Sequence, residues 1–317
     1  MTNYLKLIRP VNLLIIAFTM VGLAFYFERL LALNAVESSI LTVPFMTLVV
    51  STVLIAAGGN IINDYFDVKA DRINRPKKLI IGRHIKRRWA IINHWGLNFI
   101  AFMMAIYLSY ELSSFWYLFI HLLSINLLWY YSVQLKRTVV LGNIVIAFLT
   151  ALVPILVGIY YAQSFDWSGI RLIFPFRSEN VEYFPIYLGF ALGLFAFFLN
   201  WTRELIKDIE DIEGDRVLKA RTLPIVYGIK TAKKLSYLIL MLPVLLTLIF
   251  FYLKRETIID DFINFIPLLV CGPAVIVAYI FIIKSKVVSQ FKRANLVLKL
   301  IMVLGISLPV YWALIIS

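Results

Sequence analysis

Two matched sets of aspartates hold the chemistry available to this sequence. Asp64, Asp67 and Asp71 follow D-x-x-D-x-x-x-D, and Asp208, Asp211 and Asp215 repeat it. Each member of the second set lies 144 positions after its counterpart (208 against 64), and Arg72 and Arg216 keep the same offset. At about 100° per helical residue, offsets of three and seven gather three carboxylates within an arc of about 60°. Acids crowded in this way raise one another's pKa values or bind cations. Oxygen donors without a His or Cys partner suit a hard divalent ion, most naturally Mg²⁺, which takes one or two carboxylates and completes its shell with water and phosphate oxygens. Two such clusters facing each other would clamp a diphosphate through bridging metals. A solvated, salt-bridged surface balanced by Lys69, Arg72, Lys207 and Arg216 is the plainer alternative. It accounts for one charged segment better than for two with the same spacing in equivalent places.

The elements that must position these acids are membrane spans. The chain has 317 residues, 62% hydrophobic and only 15% charged, against about 25% charged in ordinary soluble domains. That deficit excludes a soluble enzyme, a disordered chain and a disulfide scaffold. A single cysteine, Cys271, excludes an internal disulfide and a Cys-ligated zinc or iron–sulfur centre. Runs long enough to cross a bilayer fall at 11–32, 40–63, 89–110, 115–133, 139–161, 184–203, 233–253, 262–283 and 296–316. The first is too long for a signal-peptide core and lacks a small-residue cleavage site. The expected fold is therefore an all-α polytopic membrane protein of nine transmembrane helices forming one domain over 1–317. It would comprise two four-helix halves (1–138 and 139–290), a ninth helix (296–316), and cap segments after helices 2 and 6.

Charge orients the spans. Putting the N-terminus and the 2–3, 4–5, 6–7 and 8–9 connections on one side collects 26 of the 31 basic residues there, Lys299 at the edge of the last run included. The positive-inside rule makes that side cytoplasmic, as in a prokaryotic inner membrane, with the C-terminus outside. Segments 64–88 and 203–234, which carry the two motifs, are then both cytoplasmic. The net charge of +13 is mainly this topology signal, and no basic patch interleaved with aromatics supports nucleic-acid binding. Trp167, Phe174, Phe176, Tyr183 and Phe184 in the outer 5–6 connection read as an interfacial segment.

A diphosphate at the rim of an apolar bundle points to a polyprenyl diphosphate, whose head needs Mg²⁺ and cations and whose tail needs apolar walls. The run Asn63-Asp64-Tyr65-Phe66-Asp67-Val68-Lys69-Ala70-Asp71, with Arg72-Ile73-Asn74-Arg75-Pro76 after it, resembles the first signature of the UbiA superfamily of intramembrane prenyltransferases. Asp208-Ile209-Glu210-Asp211-Ile212-Glu213-Gly214-Asp215 resembles the second. The likeness extends to Arg9-Pro10 and to Tyr131-Ser132, Leu135-Lys136-Arg137 and Gly142-Asn143. Arg203-Glu204-Leu205-Ile206-Lys207-Asp208 is most similar to the branch that adds a second geranylgeranyl chain to a prenylated glycerol phosphate. One departure is Lys77-Lys78-Leu79-Ile80-Ile81-Gly82, where many members carry a second Arg-Pro and a small-residue turn.

The resemblance implies that Asn63, Asp67, Asp71, Asp208, Asp211 and Asp215 hold two Mg²⁺ ions. It also implies that Lys136 and Arg137 act on the departing diphosphate, with Arg9, Arg72, Arg203 and Lys207 as further cations for it. Asp64 is the candidate to bind metal, orient a water or act as base; the diphosphate itself is the other candidate base. The expected reaction transfers a polyprenyl, in particular geranylgeranyl, group to a prenylglyceryl phosphate lipid, with an aromatic quinone precursor as the alternative acceptor. A secondary transporter or a non-catalytic lipid-binding protein are the readings from other classes. The transporter reading is disfavoured because the acids cluster at one rim instead of mid-span. His84, His94 and His121 lack ligand spacing. Asn126 and Gln134 could line a cavity or bond neighbouring helices, and Cys271 beside Gly272-Pro273 reads as a small residue at a helix distortion.

Overall fold

The computed structural model describes residues 2–74, 76–168, 170, 172, 183–253, 266–285 and 288–316. Phe174, Phe176 and Arg75 lie outside the described residues, as does the side chain of Cys271. The elements are α1 (Thr2–Ile8), α2 (Pro10–Leu33), α3 (Val43–Asn74), α4 (Arg87–Glu111), α5 (Phe115–Val133), α6 (Leu141–Ser164), α7 (Phe184–Glu210), α8 (Ile212–Val217), α9 (Leu223–Val226), α10 (Gly228–Leu253), α11 (Ile266–Lys284) and α12 (Val288–Ile315). Single 3₁₀ turns cover Pro76–Lys78 and Leu135–Arg137. Among the described residues there is no strand, only an isolated bridge between Ile81 and Ile85.

Among the described residues, seven helices are long and apolar enough to cross a membrane. They coincide with seven of the nine expected runs. The remaining two runs are helical as α5 and, from Ile266, α11. In α5, His121, Asn126 and several Trp and Tyr residues dilute the apolar content. The described apolar stretch of α11 is the shorter Gly272–Lys284, with Pro273 inside the helix.

The chain divides into two compact units. The first contains residues 1–17, 41–149 and 211–229. Here α3 packs against α1, α4, α5 and α8. Leu7, Ile61, Val68, Ile81, Ile85 and Ala90 form a buried cluster that ties α1 and the 80–85 loop to the charged end of α3. His94 and His121 serve as ties between helices. His121 Nε2 meets Ser51 Oγ at 2.8 Å, and His94 Nδ1 meets the Gly58 carbonyl at 2.9 Å, all deeply buried. Asn126 bonds the Leu122 carbonyl of its own helix and is exposed.

The second unit contains residues 18–40, 150–210 and 230–317. Its core is aromatic: Tyr26, Phe27, Tyr161, Trp167, Phe184 and Trp312 meet in tilted and edge-on pairs. Trp167 and Phe184, expected at the membrane interface, are instead buried in this cluster, while Tyr183 is exposed. Indole and phenyl rings gain more from packing against Phe27 and Tyr161 than from a half-wet boundary, and the Trp167 N–H is satisfied by the Tyr161 carbonyl at 2.8 Å. Backbone contact between α6 and α7 is close. A Cβ added at Gly158 would stand 2.3 Å from the Pro185 carbonyl oxygen. Gly158→Ala is therefore expected to cost about 1–3 kcal/mol of stability through overpacking against rigid backbone. Thermal unfolding in detergent would read this as a lowered midpoint, and an unchanged midpoint would contradict the close approach.

Candidate active site

The first motif lies at the end of an unusually long helix. With 32 residues α3 is about 48 Å long, well beyond the roughly 30 Å of hydrocarbon a span must cross. Its apolar part runs from Val43 to Ile62, and its polar end from Asn63 to Asn74 extends the same rigid rod. Asn63 and Asp67 are one turn apart and both buried. Lys136, presented by the 3₁₀ turn after α5, donates to Asn63 Oδ1 at 3.3 Å and forms an ion pair with Asp67. Its side chain is 22% exposed, and that of Asp67 10%.

The electrostatics of Lys136 join the two motifs. Burial pulls its pKa down, but Asp67 overcomes this by charge and hydrogen bond, with further attraction from Asp215 and Asp211. The net result holds the ammonium above the ordinary lysine range, so it remains a cation. Lys136 thus sits in the field of acids from both motifs. The backbone supports the arrangement, since the Arg221 N–H donates to the Arg137 carbonyl at 2.8 Å.

The structure distributes the other expected residues differently. Arg9, in the left-handed region at φ 57°, forms an ion pair with Asp64. Arg72 points to solvent, and the Arg137 side chain is partly buried. In the second unit, Arg203 and Lys207 both grip the buried Glu204 carboxylate, at 2.9 and 3.0 Å. In the sequence Glu204 appears only as part of the Arg203-Glu204-Leu205-Ile206-Lys207-Asp208 run, with no role assigned. The second motif departs from a single helical face. Asp208 belongs to α7, Asp211 sits outside helical geometry at φ −98° and ψ 8°, and Asp215 is buried on α8. The arc of about 60° therefore applies to the continuous α3 and not to the broken second motif.

Among the described residues, no three His, Cys, Asp or Glu side chains converge closely enough to cage an ion unaided. Mg²⁺ itself keeps water and phosphate oxygens and needs only one or two carboxylates. The donor set fits in kind: buried Asn63, Asp67 and Asp215 supply oxygen only, and a cation already stands against Asp67 and Asn63.

These features define an integral membrane protein of helical architecture with paired aspartate motifs and a partly buried lysine among them. The chain belongs to the UbiA prenyltransferase family, whose sequence pattern matches residues 15–298. It is 34% identical over 234 residues to the digeranylgeranylglyceryl phosphate synthase of Thermococcus sibiricus, covering 74% of this chain and 71% of that protein. The enzyme of the same name from Methanosphaera stadtmanae is 30% identical over 82% of this chain and 81% of its own. In fold, the chain is similar to a solved structure of digeranylgeranylglyceryl phosphate synthase in membranes, with TM-score 0.64, 23% identity and 98% of each chain covered. A UbiA homolog from Archaeoglobus fulgidus bound to DMAPP and Mg²⁺ gives TM-score 0.57 at 17% identity, over 96% of this chain and 98% of the other.

Proposed function

We propose that this prenyltransferase moves a geranylgeranyl group from its diphosphate to a prenylglyceryl phosphate lipid. The observation that carries this reading is Lys136, bonded to Asn63 and Asp67 and attracted by Asp211 and Asp215. Such a centre is built for an anion that arrives with its own divalent counter-ions. The acceptor follows from the relatives, named for digeranylgeranylglyceryl phosphate synthesis at 30 and 34% identity.

Asn63, Asp67 and Asp71, with Asp208, Asp211 and Asp215, would hold two Mg²⁺ ions, which when bound neutralise the diphosphate as it leaves. Lys136 releases Asp67 and donates to the departing diphosphate, a charge-assisted bond that strengthens as negative charge develops. The C1–O bond of the donor breaks with its electron pair going to the diphosphate. The acceptor hydroxyl oxygen then bonds to C1 of the allylic cation. Its proton goes to a base, either Asp64 or the diphosphate just released. Apolar helix walls keep water from the cation. In this reading the nine spans form two four-helix halves plus a ninth helix. The N-terminus and both motif segments face the cytoplasm of a prokaryotic cell, and the C-terminus faces outward.

Purified protein given geranylgeranyl diphosphate, Mg²⁺, geranylgeranylglyceryl phosphate and an aromatic quinone precursor in competition is expected to make the diprenyl glycerol phosphate. Mass spectrometry of the lipids would detect it, and EDTA would abolish it. A prenylated aromatic product would overturn the acceptor assignment. No product and no released diphosphate would overturn the reaction.

A further inference from the structure

We propose that Asn74 is a positioning residue that sets the spacing of the two aspartate motifs, and that Gly214 is small in order to admit it. This rests on the reading of Asp67, Asp211 and Asp215 as the metal and diphosphate site. Asn74 is the last residue of α3, seven positions beyond Asp67. Its Nδ2 donates to the Asp211 carbonyl at 3.1 Å, and its Oδ1 accepts the Gly214 N–H at 2.9 Å. A carboxamide can give and receive in this way from one planar group. A Cβ at Gly214 would stand 2.3 Å from Asn74 Nδ2 and 2.8 Å from Oδ1. No larger residue fits unless this contact opens.

The placement explains a departure from helix-capping habit. Asp211 precedes α8, where an aspartate ordinarily accepts the N–H of the second or third helical residue. Its side chain makes no such bond. Gly214 occupies that third position, and its N–H, an otherwise orphaned donor of the helix start, is taken by Asn74 from a different element. The capping function is thereby supplied by α3. The same carboxamide fixes the Asp211 carbonyl, which also accepts from the Asp215 N–H at 3.1 Å. One side chain on the helix of the first motif therefore orients the backbone at both acids of the second that lie in this unit. Asn74 acts through those acids and needs no contact with substrate.

The test combines metal-free exchange with metal dependence, using Asn74→Ala, Gly214→Ala and the double variant. In wild-type protein, residue-resolved hydrogen exchange should find the Gly214 amide protected, and each single variant should accelerate it by about tenfold or more. The Mg²⁺ concentration for half-maximal prenyl transfer should rise roughly 10-fold or more in each, the usual cost of losing a group that orients a metal ligand. The double variant should match the singles, because both remove one contact. An unprotected Gly214 amide in wild type, or additive effects in the double variant, would overturn the proposal. So would faster exchange with an unchanged Mg²⁺ requirement, which would leave Asn74 with a purely structural role. Wild-type protein that shows no Mg²⁺-dependent transfer would instead overturn the reading of the motifs, whatever the exchange result.

Discussion

Asp67→Asn is expected to lower kcat/KM for prenyl transfer by roughly 10³-fold, a loss of about 4 kcal/mol of transition-state stabilisation. The substitution keeps shape and one oxygen but removes the charge that a divalent ion and Lys136 both require. Asp67 is buried beside Asn63, one helical turn away on α3. The variant also leaves the Lys136 ammonium largely buried with its nearest counter-charge gone. Breaking a buried pair from one side destabilises folding. Thermal unfolding of the metal-free protein should therefore fall as well. The two effects separate by saturating with Mg²⁺ at a temperature where the variant is fully folded. Retention of more than a tenth of wild-type activity there would remove Asp67 from the metal site.

Lys136→Met should produce the complementary pattern. Methionine keeps the length of the side chain and loses the ammonium. Its bonds to Asn63 and Asp67 disappear, and the attraction it provides for Asp211 and Asp215 goes with them. The expected loss in kcat is on the order of 10²-fold, the size seen when one charge-stabilising donor is removed from a developing anion. The Mg²⁺ requirement should not rise, because the carboxylates lose a competitor for the ion. A variant with normal kcat and a raised Mg²⁺ requirement would make Lys136 a structural counter-ion and not a leaving-group cation. Lys136→Arg should recover only part of the rate, since a planar guanidinium cannot occupy the position of a point-charge ammonium beside Asp67.

The cations show most clearly where sequence reasoning stopped. Arg9, Arg72, Arg203, Lys207, Lys136 and Arg137 all stand near the expected rim and are equivalent when read as charges, and the family resemblance alone put Lys136 ahead. In the fold, Arg9 is taken by Asp64, Arg72 faces solvent, and Arg203 and Lys207 share Glu204, while Lys136 alone of the six joins Asn63 to Asp67. Six long, flexible side chains with similar chemistry have no local signal that selects a partner. That choice depends on where a turn 69 to 73 residues away is packed.

By itself the sequence determined the helical class, the membrane-length runs and the two aspartate motifs, because these are local properties. Apolar run length states how far a helix can remain in hydrocarbon, and motif spacing states which residues share a helical face. Only the tertiary structure decided that α3 continues unbroken through Asp64, Asp67 and Asp71 while the second motif breaks at Asp211. It also decided that Trp167 and Phe184 turn inward and that Asn74 reaches Gly214. Those outcomes come from contacts between residues far apart in the chain. Their energies compete with local preference at a break, a ring or a cap, and a linear pattern carries no record of which will win.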